Sequence, residues 1–200
     1  MIVLLDTNND LDQCAKEIGA PCEQLLTPLT RFKPTQPEQH FAIDNGAFAG
    51  LDVDSFVSLL ERERPRRDLC RWVAVPDVVG DARRTLEVFG IWRRRMELAG
   101  WPLALVCQNG QEHLPIPWQH ISAIFIGGDT DWKLGLAAAG CVKAAKALGK
   151  WVHAGRVNTP GRFEYFKQLG ADSIDGSGLA RYTHMREKIH RAQTEPQLSL

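Results

Sequence analysis

The stretch "WVHAGRVNTPGRFEYFKQLGADSID" (151–175) decides how the chain folds, because strand, helix and strand follow one another in it with their punctuation intact. Thr159 can cap the first free amides of a helix, and Pro160 suits its first turn. Phe163, Phe166 and Leu169 then fall on one face, and Gly170 can take the left-handed conformation that ends it. "HAGRVN" becomes the loop that leaves one strand and "DSID" the strand that follows. That last strand is odd for a barrel wall, since Asp172 stands near its start and Asp175 at its end. Asp172 is expected to be structural; Asp175 asks for a chemical reason.

The same alternation recurs outward. Short β-type runs stand at 2–5 (IVLL), 41–44 (FAID), 71–77 (RWVAVPD), 103–108 (LALVCQ), 123–128 (AIFIGG), 150–155 (KWVHAG) and 172–175 (DSID). Helical patterns fill 52–64, 81–100, 133–149 and 159–170. Apolar strands separated by helices indicate an α/β fold with a parallel, helix-covered sheet. No G-x-G-x-x-G follows an early strand, which favours a (β/α)8 TIM-like barrel over an open doubly wound sheet. Such barrels take ~250 residues, and this chain has 200. The expectation is therefore a compact barrel lacking one strand or helix, or drawing its eighth strand from the segment after 178. One domain over 1–200 is expected, with 183–200 as a basic, helical C-terminal tail.

Composition narrows the function classes. The 24 Lys and Arg equal the 24 Asp and Glu, so a histone-like global attraction to nucleic acid is excluded while local patches are not. Basic stretches at 61–71, 82–84, 92–98 and 181–191 read first as solvated helix faces and second as nucleic-acid contacts. The five cysteines (14, 22, 70, 107, 141) form no CxxC pair and have no histidine at zinc-finger spacing, which points to reduced thiols and no metal site. No signal peptide or membrane-length apolar run is read in the sequence, and a cytoplasmic protein is expected.

The residues that end the strands carry the chemistry. Asp6, Asp44, Asp77, Gln108, Gly127, Gly128, Asp129, His153 and Asp175 all fall at or just past a strand's C-terminal end, which in a barrel is the catalytic face. Carboxylates converging on one pocket repel each other, so their pKa values separate and one can act as nucleophile while another handles a proton. The "GSG" after Asp175 is small enough to admit a bulky substrate. In "DNGAF" (44–48), Gly46 permits a tight turn and Phe48 offers a face for a planar base or a place in the core. Asp77 and Gln108 have the donors and acceptors to read a purine edge. "GGD" (127–129) can present backbone amides. His153 can orient a carboxylate or pack on the barrel wall.

The series "AIDNGAFAG", "VAVPDVVGD", "ALVCQNG", "FIGGDTDWK" and "HAGRVNTPGRFEYFKQLGADSIDGSG" resembles, in order and spacing, the guanine transglycosylases, over residues 40–182. The wording is most similar to the 7-deazaguanine DNA transglycosylases of bacteria and phages. The resemblance implies a TIM-like barrel that exchanges guanine in DNA for a free 7-deazaguanine base, 7-cyano-7-deazaguanine (preQ0) foremost, without a cofactor. It implies Asp175 as nucleophile, Asp44 as second catalytic aspartate, Phe48 as the stacking ring, Asp77 and Gln108 on the guanine edge and Gly127 and Gly128 as a backbone recognition loop. A substrate drawn from the DNA stack needs backbone contacts, for which Arg156, Arg162, Arg181 and Lys133 are the candidates. The tRNA-modifying members carry a cysteine-rich zinc site with a histidine, which this sequence lacks, so DNA is favoured over tRNA. Two readings stand beside this one: a phosphate-binding barrel isomerase or lyase, and a non-catalytic nucleic-acid-binding barrel.

Overall fold

The computed structural model of the chain describes residues 1–6, 10–30 and 38–194. Eight parallel strands close into a barrel in sequence order: β1 (Ile2–Leu5), β2 (Cys22–Leu26), β3 (Phe41–Ile43), β4 (Cys70–Ala74), β5 (Leu103–Cys107), β6 (Ala123–Ile126), β7 (Trp151–Ala154) and β8 (Ser173–Asp175). β8 pairs back onto β1, with Ile2 opposite Ser173 and Leu4 opposite Asp175. Around the strands run α1 (Leu11–Ile18), α2 (Val53–Glu63), α3 (Ala82–Leu98), α4 (Thr130–Lys133), α5 (Leu136–Ala147), α6 (Pro160–Gln168), α7 (Ser177–Arg181) and α8 (Thr183–Thr194). Among the described residues no helix is long and apolar enough to cross a membrane.

The barrel is complete, which corrects the expectation of a trimmed one. The eighth strand comes from Cys22–Leu26 rather than from the segment after 178. "CEQLL" hides it because its polar residues are satisfied within the fold. Gln24 is buried and donates to the Leu5 carbonyl at 2.7 Å, and Glu23 accepts two hydrogen bonds from Arg71, at 2.7 and 3.1 Å. The small size comes instead from economy elsewhere: β3 and β8 have three residues each, and only two 3₁₀ turns, Gln111–His113 and Trp118–His120, join β5 to β6.

Side chains alternate between two cores, as the strand period of two requires. Val3, Leu5, Ile43, Val73, Leu105, Ile124 and Val152 face the helices, whereas Leu4, Leu25, Trp72, Val106 and Phe125 fill the barrel interior. The interior rings fit because alanines stand at 42, 74, 104 and 123. Trp72, Phe125 and His153 pack with ring centroids 4.5 to 5.6 Å apart and form the floor beneath the C-terminal ends of the strands.

The segment after 182 is an integral wall helix rather than a tail, as far as residue 194; residues 195–200 lie outside the described residues. Arg186, buried, donates to Glu17 of α1 at 2.5 Å and to the Leu179 carbonyl at 2.7 Å, while Gln193 satisfies the Ile18 carbonyl at the end of α1. Most basic stretches are likewise tied into the fold. Arg66 holds Glu63 and the Gln39 carbonyl, Arg67 the Ala99 carbonyl, and Arg93 the His120 ring.

Candidate active site

At the C-terminal ends of the strands opens a pocket of about 230 Å³. That is below the roughly 300–1,000 Å³ of sites for drug-sized ligands and suits a small heterocycle. Asp6, Asp44, Asp77 and Asp175 line it together with Phe48, Gln108, Gly127 and Arg156. Eight of the single residues named from sequence therefore meet in one cavity: Asp6, Asp44, Phe48, Asp77, Gln108, Gly127, Arg156 and Asp175.

Asp175 is pinned from two sides. Its Oδ1 accepts from the Arg156 backbone amide at 2.8 Å, and its Oδ2 lies 3.0 Å from His153 Nε2. Burial alone would raise its pKa, but the hydrogen bond from His153, the Arg156 amide and nearby Lys133 outweigh it and hold the carboxyl below its usual range. Aiming that amide requires Arg156 to adopt φ 60°, the one positive φ outside glycine among the described residues. Gly155 is needed beside it, since a Cβ there would stand 2.4 Å from the Phe125 ring.

Asp44 is the opposite case. Burial dominates and pushes its pKa up to about 7, with the charges of Asp175, Asp77 and Asp6 adding to the rise; only the Gly46 amide, donating to Oδ1 at 2.9 Å, works against it. Near neutral pH the pocket thus holds an ionised Asp175 and an Asp44 able to give or take a proton.

Asp77 sits in a cradle of side-chain amides. Asn45 donates to its Oδ1 at 2.8 Å and Gln108 to its Oδ2 at 2.7 Å. Burial raises its pKa in spite of both donors. Asn45 also donates to the Val75 carbonyl, and the Gln108 Oε1 accepts from the Gly80 amide at 3.0 Å, so both amides have fixed orientations. Gln108 consequently supports Asp77, and Asp77 presents its remaining lone pairs to the cavity. Asn45 was not singled out from sequence; its signal was its place beside Asp44 at the end of a buried strand.

Phe48 and Arg156 form the mouth. Phe48 is 69% exposed, which excludes a core role, and the Arg156 guanidinium carbon lies 4.4 Å from its ring centroid. Arg156 also donates to the Gly127 carbonyl at 3.1 Å and to the Gly128 carbonyl. It is a wall of the pocket rather than a free surface cation. The glycine pair accordingly offers carbonyls to Arg156, while the Gly127 amide donates to the Cys107 carbonyl at 2.9 Å. No side chain fits at either position: a Cβ on Gly127 would stand 2.7 Å from Val106, and one on Gly128 2.3 Å from Trp132.

Asp129, His153, Lys133, Arg162 and Arg181 lie outside the pocket lining. Asp129 caps α4 by accepting from the Trp132 amide and holds Asn109. His153 is fully buried under Asp175, with burial holding its pKa below the ordinary histidine value. Lys133 is buried and donates to the Gly155 carbonyl at 2.6 Å, with burial lowering its pKa to about 8, which removes it as a phosphate contact on the surface. Arg162, in the first turn of α6, reaches Thr130, and Arg181 is exposed at the end of α7. Of the "GSG" residues, Gly176 and Ser177 line the pocket beside Asp175; neither glycine admits a side chain, since a Cβ on Gly176 would meet the Val157 carbonyl at 2.5 Å and one on Gly178 the Met185 side chain at 2.6 Å. Asp172 is structural, accepting from Lys146 and from the Val152 amide. No group of three or more His, Cys, Asp or Glu among the described residues has the arrangement of a metal site.

No family model matches the chain and no curated protein matches it. Among solved structures it is similar to one described as "Native KDPGal structure", with 14% identity, 96% of this chain and 93% of that one covered, and a TM-score of 0.48. It is also similar to a cube-shaped, highly porous protein cage designed by fusing symmetric oligomeric domains, with 14% identity, 96% of this chain and 71% of that one covered, and a TM-score of 0.47.

Proposed function

We propose that the chain is a DNA-modifying guanine transglycosylase, an enzyme that exchanges guanine in DNA for a 7-deazaguanine base. The observation that carries this reading is the pair of carboxyls in one pocket, Asp175 held ionised and Asp44 poised near pH 7, beside an Asp77 fixed by two amides. In the first step an Asp175 oxygen attacks C1′ of a deoxyguanosine nucleotide, the C1′–N9 bond breaks, and Asp44 protonates the departing base. Guanine leaves, and a 7-deazaguanine enters the vacated pocket. Asp44 takes the proton from its N9, which attacks C1′ and restores the Asp175 carboxylate. Asp77 accepts from the N1–H and exocyclic amine shared by both bases, and Phe48 stacks on the ring.

The base has to leave the helical stack to enter so small a pocket, at a cost of a few kcal/mol. Arg162, in the first turn of α6, and Arg181, at the end of α7, are the cations that would offset it through phosphate contacts. A phosphate-binding isomerase or lyase fits less well, because four carboxyls line the cavity where the phosphate would sit. A purely binding role leaves the double anchoring of Asp175 without purpose.

The reading is tested by incubating the protein with guanine-containing DNA and 7-cyano-7-deazaguanine, digesting to nucleosides and weighing the products. The modified deoxynucleoside is expected. Product with tRNA and none with DNA would replace the substrate class.

A further inference from the structure

Beneath the nucleophile, a line of four polar side chains crosses the barrel interior from the strand starts to the strand ends. Trp151 Nε1 lies 2.8 Å from Ser173 Oγ, Ser173 Oγ 2.9 Å from His153 Nδ1, and His153 Nε2 3.0 Å from Asp175 Oδ2. Ser173 and His153 are fully buried, and the faces of the imidazole are occupied by Trp72 of β4 and Phe125 of β6. Arg71 packs over the Trp151 ring at 5.4 Å and fixes its far end.

The direction of every bond follows from the two ends. An indole N–H can only donate, so Ser173 Oγ accepts from Trp151 and has its own proton free for His153 Nδ1. An ionised carboxylate can only accept, so Nε2 must carry the ring proton toward Asp175. Both constraints select one tautomer, and no atom in the line is left with two donors or two acceptors facing each other. Protonating the ring would make Nδ1 a second donor to the serine oxygen, taking both of its lone pairs. The serine proton would then need a third partner inside a fully buried shell, where a hydrogen bond left unmade is costly.

We infer that Trp151 and Ser173 are positioning residues that lock His153 as the neutral Nε2–H tautomer, so that it holds Asp175 by a hydrogen bond without becoming an imidazolium counter-ion. An imidazolium there would stabilise the ground-state carboxylate and blunt its attack. The charged groups around the ring are Asp175 on β8 and Lys133 on α4; Asp175 favours the imidazolium, while Lys133 and burial oppose it. The catalytic consequence rests on the transglycosylase reading above; the tautomer lock does not.

The test is long-range ¹H–¹⁵N correlation of the His153 ring in the full-length protein, assigned by its loss in His153→Gln. The wild type is expected to show a protonated Nε2 and an unprotonated, hydrogen-bonded Nδ1 at neutral pH. Trp151→Phe keeps an aromatic ring and vacates the indole N–H position, into which the serine proton can turn, so the His153 midpoint should rise by about one pH unit, tenfold in its protonation equilibrium. Ser173→Ala should move the Nδ1 resonance to that of a free lone pair, which keeps the inference open to refutation if Trp151→Phe does not fold. In base exchange, Trp151→Phe is expected to lower kcat below pH 7 with KM unchanged. A wild-type ring protonated at Nδ1, or a Trp151→Phe variant with unchanged tautomer and titration, overturns the lock. Absence of base exchange by the wild type, with the ring resonances as expected, counts against the transglycosylase reading and leaves the lock standing.

Discussion

The backbone amide of Arg156 donates to Asp175 Oδ1 at 2.8 Å from a left-handed backbone, φ 60°, that puts its guanidinium over Phe48. Backbone and side chain of one residue thus do separate jobs, and substitutions should separate them. Arg156→Gly keeps the amide and relieves a left-handed cost of about 1–2 kcal/mol, against an added unfolded-state freedom of about 0.4–1 kcal/mol. Its stability should stay within ~1 kcal/mol of wild type by denaturant titration, with kcat nearly kept and KM raised about tenfold for a lost contact of roughly 1–2 kcal/mol. Arg156→Pro removes the N–H and forces φ to about −65°, and should abolish turnover.

Asp44 makes both stability and activity depend on pH. Its folded pKa, about 7, lies above the unfolded carboxylate value of roughly 3.9. The folded state therefore binds the proton more tightly, and this contribution is complete below pH ~4 and lost as pH rises through about 7. Asp44→Asn should be less sensitive to pH between 5 and 8 in thermal unfolding, and more stable than wild type at pH 8. Asp175 runs the other way: its folded pKa is depressed, so its contribution is present above the unfolded value and lost as pH falls through the folded one. A base-exchange rate that falls on the alkaline side near pH 7, and loses that limb in Asp44→Asn, is the expected profile.

The cradle of Asp77 predicts an effect on recognition from the residue that holds it, Asn45. Asn45→Ala leaves the Val75 carbonyl and one Asp77 oxygen without their donor, a loss of about 1–3 kcal/mol. Stability should fall by that order, and kcat/KM for guanine exchange by roughly 10–100-fold, mostly through KM. Asp77→Asn should reduce binding of bases carrying the guanine N1–H and amine more than of a purine without them, measured by inhibition with the free bases.

Phe48, already 69% exposed, should be dispensable for folding. Phe48→Ala is expected to leave the melting temperature within a degree or two, on the scale of exposed substitutions. It should weaken substrate binding by about 1–3 kcal/mol if the ring stacks on the base.

Seven strands and four helices could be read from sequence because apolar runs, caps and glycine stops agreed there, nowhere better than in Thr159–Gly170. β2 could not, since Glu23 and Gln24 are paired to partners distant in the chain, Arg71 and the Leu5 carbonyl, which a local pattern does not reveal. Strand-end position placed Asp44, Asp77, Gln108 and Asp175 in one pocket. Asp129, named by the same rule, caps α4, and Lys133, named as a phosphate contact, satisfies a buried carbonyl, because a charged residue looks alike in sequence whether it caps a helix, satisfies a carbonyl or faces a ligand. Arg156 was noticed as a cation, yet its amide and its positive φ, the features that matter most to Asp175, leave no mark in side-chain chemistry.

The most direct test is acid quenching of the protein during turnover on guanine-containing DNA, followed by digestion and mass mapping of any covalent adduct. A deoxyribosyl adduct on the peptide carrying Asp175, absent in Asp175→Asn, is the predicted result. Base exchange that persists in Asp175→Asn, or an adduct mapping to another residue, would contradict it.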